Sequence, residues 1–185
     1  MTVKEALEKR KSVRAFLDKK VEKEKIETLL KMAKNAPSGV NIQPWIVSVL
    51  SGKKKKNLET KVIEAFDNKV KGDAECTHYP SVWNEPYKSR RKETGLAMYK
   101  ALDIKREDKD RQIEQWRSNY KAFDAPVSLY FFIDTTLALG SYVDYGMFLQ
   151  SIMLSALELG LATCPQGALA EFPDIIKKEF TFIHI

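Results

Sequence analysis

Between Tyr142 and Leu159 the chain carries apolar residues on every side of a helical axis, with Val143, Met147, Phe148, Ile152, Met153 and Leu157 among them. A helix of that kind has no face to give to water and has to be buried nearly all round. In a chain of 185 residues it belongs at the centre of the domain or at a surface covered by a second subunit. The remaining sequence has to supply the cover. A chain of this length has the size of one domain and can bury a substantial core.

The covering elements can be read in order. Thr2-Val3-Lys4-Glu5 fits a capping box and opens a short helix through Ala6, Leu7 and Arg10. Ser12 to Phe16 breaks that pattern and turns toward extended chain. A second helix is predicted from about Glu22 to Asn35, with Ile26, Leu29, Leu30 and Ala33 on one face. It stops at the breaker cluster Asn35-Ala36-Pro37-Ser38-Gly39. Trp45 to Leu50 is predicted as a strand, apolar nearly throughout and therefore buried on both faces. The block Lys53 to Lys56 leads into a helix carrying Leu58, Val62, Ala65 and Phe66.

From Gly72 to Gly95 the pattern turns irregular and aromatic, with Pro80, Trp83, Pro86 and Tyr87. A long irregular stretch inside one domain is expected to be a functional lid. Two amphipathic segments follow, one with Leu96, Tyr99 and Leu102, the other with Ile113, Trp116 and Tyr120. Val127 to Asp134 is a second core strand. Leu161 to Cys164 reads as a short strand ending at Pro165, Phe172 to Lys178 as a last helix, and Thr181 to Ile185 as another strand. The mixture is α+β, in one domain, without internal repeats.

Composition excludes several classes. Hydrophobic residues make up 44% and charged residues 30%, which is neither a disordered nor a low-complexity chain. No apolar run is long enough to span a bilayer, and MTVKEALEKRKSVR holds no secretory apolar segment. Two cysteines, Cys76 and Cys164, form no disulfide framework; reduced thiols in a cytoplasmic protein account for them. The net charge of +6 is spread among acidic neighbours, as in Lys20 to Lys25 and Lys105 to Arg111, so a nucleic-acid footprint is not expected. Cys76-Thr77-His78 lacks the second ligand pair of a metal site. His184 reads as an ordinary structural residue of an apolar strand, and Glu158 has no evident partner for acid–base work.

Three constellations can carry chemistry. Arg10-Lys11-Ser12-Val13-Arg14 places cations and a hydroxyl where a helix gives way to extended chain, which suits a phosphate or simply a solvated helix end. Pro37-Ser38-Gly39-Val40-Asn41-Ile42-Gln43-Pro44-Trp45 offers amides and a hydroxyl in a loop held by two prolines. It can meet the edge of a polar heterocycle, or serve only as a helix-to-strand turn. Cys164-Pro165-Gln166-Gly167 follows a short strand, and the N–H groups of Gln166 and Gly167 can face an electron-rich ligand or merely end that strand.

The ordered set resembles the nitroreductase family, FMN-dependent enzymes that reduce nitro groups, quinones and related acceptors with NAD(P)H. The family's Arg-x-Ser-x-Arg-x-Phe pattern matches Arg10, Ser12, Arg14 and Phe16. Its Ala-Pro-Ser-x-x-Asn-x-Gln-Pro-Trp pattern matches Ala36 through Trp45. Its Asp-x-Gly-x-x-x-Gln helix and Gly-Leu-x-x-x-Pro turn match Asp144, Gly146, Gln150, Gly160, Leu161 and Pro165. Asn84-Glu85-Pro86-Tyr87 with Arg90 and Arg91 looks most like the nitrobenzoate reductase branch.

The resemblance implies an α+β fold with a central, mainly antiparallel sheet flanked by helices, in an intertwined homodimer with FMN at the interface. It implies that Arg10, Lys11, Ser12 and Arg14 hold the FMN phosphate and ribityl chain, with Arg10 or Lys11 near the pyrimidine edge. Pro37, Ser38, Gly39, Asn41 and Gln43 approach the flavin from the partner subunit, and Pro165, Gln166 and Gly167 lie against the isoalloxazine. Residues 72 to 123 form the variable lid, on which Tyr87, Arg90 and Arg91 contact the acceptor or remain solvated. The implied reaction is a ping-pong hydride transfer in which no side chain acts as nucleophile. A flavin-sequestering or redox-sensing protein, or a flavin-dependent dehalogenase or flavin-fragmenting enzyme on the same fold, has the same motifs. The family pattern runs a few dozen residues beyond Ile185, with a further strand and a basic phosphate ligand, so an incomplete chain is expected.

Overall fold

The computed structural model describes residues 1–75 and 77–180. In chain order its elements are α1 (Val3–Lys9), α2 (Lys23–Ala33), β1 (Ile46–Ser51), α3 (Gly52–Asp67), α4 (Tyr87–Ala101), α5 (Lys109–Arg117), β2 (Val127–Phe132), α6 (Gly140–Glu158) and α7 (Pro173–Glu179). The chain divides into two compact units. One comprises Met1–Asn57 with Phe123–Pro165, the other Leu58–Ala122 with the chain from Gln166 onward. Among the described residues no helix is long and apolar enough to cross a membrane.

The first unit is built on α6. Leu29 and Ala33 of α2 meet Tyr145, Phe148, Ile152 and Ala156, which recur three and four apart and so line one stripe of α6. Ala33 and Ala156 are both fully buried, and their small side chains let the two helices pack closely. Trp45 stacks on Phe148 with ring centroids 4.6 Å apart and planes 5° apart. β1 and β2 pair antiparallel in a register running from Ile46 opposite Phe132 to Ser51 opposite Val127. The Tyr145 hydroxyl lies 3.1 Å from the Ile46 carbonyl and 3.0 Å from the Phe132 carbonyl, and so ties α6 to the paired strand ends. α1 begins with the expected capping box, in which Thr2 Oγ1 accepts from the Glu5 N–H and Glu5 accepts from the Thr2 N–H.

Of two burial expectations, that for α6 holds over most of the helix and that for β1 is corrected. From Met147 to Leu157 every residue of α6 is buried or half-buried, and its exposed large apolar residues, Tyr142 at 49% and Val143 at 67%, lie in the first turns. β1 is not buried on both faces. Ile46 and Val49 are 45% and 40% exposed; among the described residues the α6 core packs on only one face of the strand pair, where Val47 and Leu129 lie. The expected strand at Leu161 to Cys164 reduces to one parallel bridge, Thr163 to Ser12. β-Forming residues are present there, but they find no longer partner segment among the described residues.

In the second unit Leu58 and Val62 of α3 are fully buried, and Phe66 packs on Tyr120 at 4.9 Å, with Tyr120 in turn 5.6 Å from Phe172. The two segments expected to be amphipathic do form helices, α4 and α5, but neither carries a buried residue. Leu96, Ile113 and Trp116 are each more than half exposed. Of the residues expected on the two faces, Tyr120, just past α5, is buried at 1%. α7 starts with Pro173 at its first turn, where a missing N–H costs nothing. The strand expected at Thr181 to Ile185 lies outside the described residues.

Candidate functional site

The segment after α1 carries the first constellation. Arg10 caps the C-terminus of α1, its N–H donating to the Ala6 carbonyl at 3.0 Å, and the chain then extends. Ser12 bridges to Thr163, and the Val13 N–H donates to the Thr163 carbonyl at 3.0 Å. This contact sets the cationic segment beside the Thr163-Cys164-Pro165 stretch, although some 150 residues separate the two in sequence. The charge of Arg14 is felt at Cys164. Burial pushes that thiol up, and Arg14 opposes the push. Among the described residues Arg10, Lys11 and Arg14 make no ion pair, so their charge is available to an anion.

The second constellation is a loop in strained geometry. Ser38 is extended at φ −147°, and a 3-10 turn follows over Gly39–Asn41. Val40, Asn41 and Gln43 have φ of 44°, 58° and 49°. Asn enters this left-handed region readily, whereas for β-branched Val it is an outlier. Ser38 Oγ accepts from the Gln43 N–H at 3.0 Å, and Gln43 Nε2 donates to Asn41 Oδ1 at 3.0 Å. From outside the loop, the Gly39 N–H donates to Asp144 Oδ2 of α6 at 3.1 Å. Buried Pro44 and half-buried Trp45 fix the loop's exit, while Pro37, Gly39, Asn41 and Gln43 remain exposed and Ser38 half-buried. A Cβ at Gly39 would meet nothing closer than 3.8 Å, so glycine is not required there by crowding. Among the described residues no hydrogen bond or ion pair joins this loop to residues 10–14.

Pro165 is exposed in the first unit. In the second unit, Gln166 Nε2 donates to the Asn119 carbonyl at 3.0 Å and lies 3.4 Å from Asn119 Oδ1. The backbone N–H groups of Gln166 and Gly167 have no acceptor among the described residues. A Cβ at Gly167 would lie 3.5 Å from the His78 ring. His78 packs edge-on against Tyr79 at 4.7 Å, and Tyr79 lies 5.7 Å from Trp83. The Arg91 guanidinium sits 4.9 Å over the Trp83 ring, and Arg90 lies 5.9 Å over Tyr87. Tyr87, Arg90 and Arg91 thus share one exposed aromatic–cationic surface at the start of α4.

The same unit holds a cavity of about 370 Å³ lined by Phe66, Lys69, Trp116, Tyr120, Glu171 and Phe172 among others. None of the sequence-predicted site residues lines it. Among the described residues no three His, Cys, Asp or Glu side chains cluster as metal ligands. Sequence reading gave no site role to Asn119 or Trp83, set His78 aside as a metal ligand, and named Asp144 only as part of the Asp-x-Gly-x-x-x-Gln match. The motif match was the signal for Asp144; its bond to Gly39 was not readable from it.

Residues 7–181 match the model of the nitroreductase family. The chain belongs to that family. It is 35% identical over 176 residues to a 4-nitrobenzoate reductase of Pseudomonas putida, covering 95% of this chain and 75% of the relative. A nitrobenzene nitroreductase of Ectopseudomonas oleovorans is 37% identical over 158 residues, 85% of this chain and 70% of its own length. Among solved structures, the FMN and NADPH-dependent nitroreductase NfnB of a Sphigopyxis sp. strain HMH superposes with a TM-score of 0.92 at 35% identity, covering 97% of this chain and 81% of its own. The α+β architecture expected from the motifs is therefore that of the nitroreductase fold.

Proposed function

We propose that this nitroreductase-family chain binds FMN and reduces nitroaromatic acceptors at the expense of NAD(P)H. The observation that carries the reading is the Ser12–Thr163 bridge, which sets unpaired cations beside the stretch leading to Pro165. The donor set fits FMN. Arg10, Lys11, Ser12 and Arg14 match its phosphate and ribityl hydroxyls, and Ser38, Asn41 and Gln43 match the polar edge of its ring. Pro37 and Gly39 shape that loop. Pro165, with the free N–H groups of Gln166 and Gly167, suits a flat electron-rich ring. Bound there, FMN would supply the hydride chemistry that no side chain of this protein can supply.

The protein's own share is to bind, orient and select. Arginines and a lysine neutralise phosphate charge, and a loop held in left-handed geometry presents its amides without rearranging on binding. Residues 72–123 serve as the lid over the acceptor. Arg90 and Arg91, supported on Tyr87 and Trp83, favour a carboxylated aromatic over a neutral one. The similarity to a 4-nitrobenzoate reductase supports that preference. A homodimer accounts for the exposed apolar surface of α6, where Leu139 and Val143 stand 84% and 67% exposed. Two cysteines and no disulfide framework in the sequence favour the cytoplasm.

The test is spectroscopic. The purified protein, supplied with FMN, is expected to be yellow, to bleach with anaerobic NADH or NADPH, and to recover its colour with 4-nitrobenzoate. A protein that stays colourless in excess FMN sinks the proposal. One that is yellow but does not bleach is a flavin-binding protein without reductase activity.

A further inference from the structure

The loop over Pro37 to Gln43 has a feature that its own residues do not explain. Three of its non-glycine residues, Val40, Asn41 and Gln43, hold φ between 44° and 58°, and Val40 is fully exposed. No packing holds Val40 in that state. Conformations of this kind persist only where the surroundings over-determine them. Two of the loop's restraints are internal, Gln43 N–H to Ser38 Oγ and Gln43 Nε2 to Asn41 Oδ1. Internal bonds fix the loop's shape but not its position on the protein. Among the described residues, the one hydrogen bond that reaches in from another element is the Gly39 N–H to Asp144 Oδ2, 3.1 Å.

Asp144 is suited to that task. It stands one residue before Tyr145, whose hydroxyl ties α6 to both strand ends, so it is carried on a turn of the helix that is fastened to the sheet. It is half-buried and makes no ion pair among the described residues. Its carboxylate is thus not diverted by a competing cation, and a hydrogen bond to a charged acceptor is roughly twice as strong as a neutral one.

We infer that Asp144 is a positioning residue that pins the Pro37–Gln43 loop to α6 and holds its polar groups in the geometry that receives the cofactor. It touches no ligand itself; it acts through Gly39. For cofactor affinity the inference rests on the proposed FMN site, whereas for loop order it stands alone.

The test separates the two. In wild-type protein without FMN, amide exchange of Gly39 is expected to be at least ~10-fold slower than that of neighbouring Val40, whose N–H has no acceptor among the described residues. Equal exchange at the two amides overturns the inference, whatever any variant does. Asp144→Leu, nearly isosteric but without an acceptor, is expected to speed exchange across residues 37–43 and to weaken FMN binding by about 10-fold, leaving exchange in β1 unchanged. Asp144→Asn keeps an acceptor oxygen and is expected to stay within about 3-fold of wild type in both readouts. Loss in Asp144→Asn equal to that in Asp144→Leu would overturn the hydrogen-bond account. Failure of wild-type protein to bind FMN would remove the cofactor reading and leave the loop-exchange result to decide the rest.

Discussion

Tyr145 and Tyr120 are each almost fully buried and each hydrogen-bonded through the phenol, Tyr145 to two strand carbonyls and Tyr120 to Glu171 Oε2 at 2.9 Å. Replacing Tyr145 with Phe leaves the ring and removes the tie, which is expected to lower stability by about 1–2 kcal/mol in urea denaturation. Both phenols are pushed above the ordinary tyrosine value of 10.0, chiefly by burial. The folded protein therefore keeps protons that the unfolded chain gives up, and stability falls as pH rises above about 10. Thermal midpoints should be insensitive to these groups below about pH 9 and drop beyond pH 10, less steeply in Tyr145→Phe. Gly72 is a different kind of constraint. A Cβ there would sit 1.8 Å from the Glu171 carbonyl oxygen, so Gly72→Ala has to move backbone and should cost about 1–3 kcal/mol. The sequence announced Thr2 and Glu5 as a cap because their geometry is local. It could not announce Gly72 or Tyr145, whose roles depend on residues about 100 positions away.

Elements divide along the same line. α2 and α6 were readable because helical periodicity is written over many residues, and β1 and β2 because runs such as Ile46 to Leu50 suit strands. Burial was less readable. Leu96, Tyr99 and Leu102 repeat every three residues, yet α4 buries none of them, since a periodic face states what could be covered and not what covers it. The candidate loop shows how far the motifs reached. Pro37 to Trp45 and Asp144 were both singled out by motif, while the bond that joins them, Gly39 N–H to Asp144 Oδ2, came only with three-dimensional structure. The left-handed Val40 gives this element its own prediction. Val40→Gly relieves a φ of 44° at a fully exposed position and is expected to raise stability by about 0.5–1 kcal/mol, read as a higher thermal midpoint. If relief of strain also loosens the loop, FMN affinity will fall while stability rises.

At the scale of the whole molecule, the start of α6 leaves apolar surface uncovered, with Tyr142 49% and Val143 67% exposed. If a second copy covers it, sedimentation of wild-type protein at micromolar concentration will give a dimer. Val143→Arg, which places an unpaired charge on that surface, will shift it toward monomer. A wild-type monomer would leave the dimer reading without support. On the acceptor side, Arg91→Ala is expected to raise KM for 4-nitrobenzoate about 10-fold while changing that for nitrobenzene little. The α+β class and the family were legible from ordered motifs, since each motif is a short run whose chemistry survives without its surroundings. The arrangement of these aromatic and cationic residues was not, because the contacts of Arg91 with Trp83 and of Gly167 with His78 join segments that no periodicity connects.

β1 ends at Ser51 and its neighbour β2 begins at Val127, so one antiparallel ladder closes a very long excursion of the chain. The entropy lost in closing such a loop grows only with the logarithm of its length, about 0.6 kcal/mol for each doubling. Residues added to or removed from the excursion therefore cost the frame almost nothing, provided both ends still reach the ladder. Evolution can thus lengthen or shorten the stretch between Ser51 and Val127 without renegotiating the strand pairing, and a graft of different length there is expected to leave the β1–β2 ladder intact.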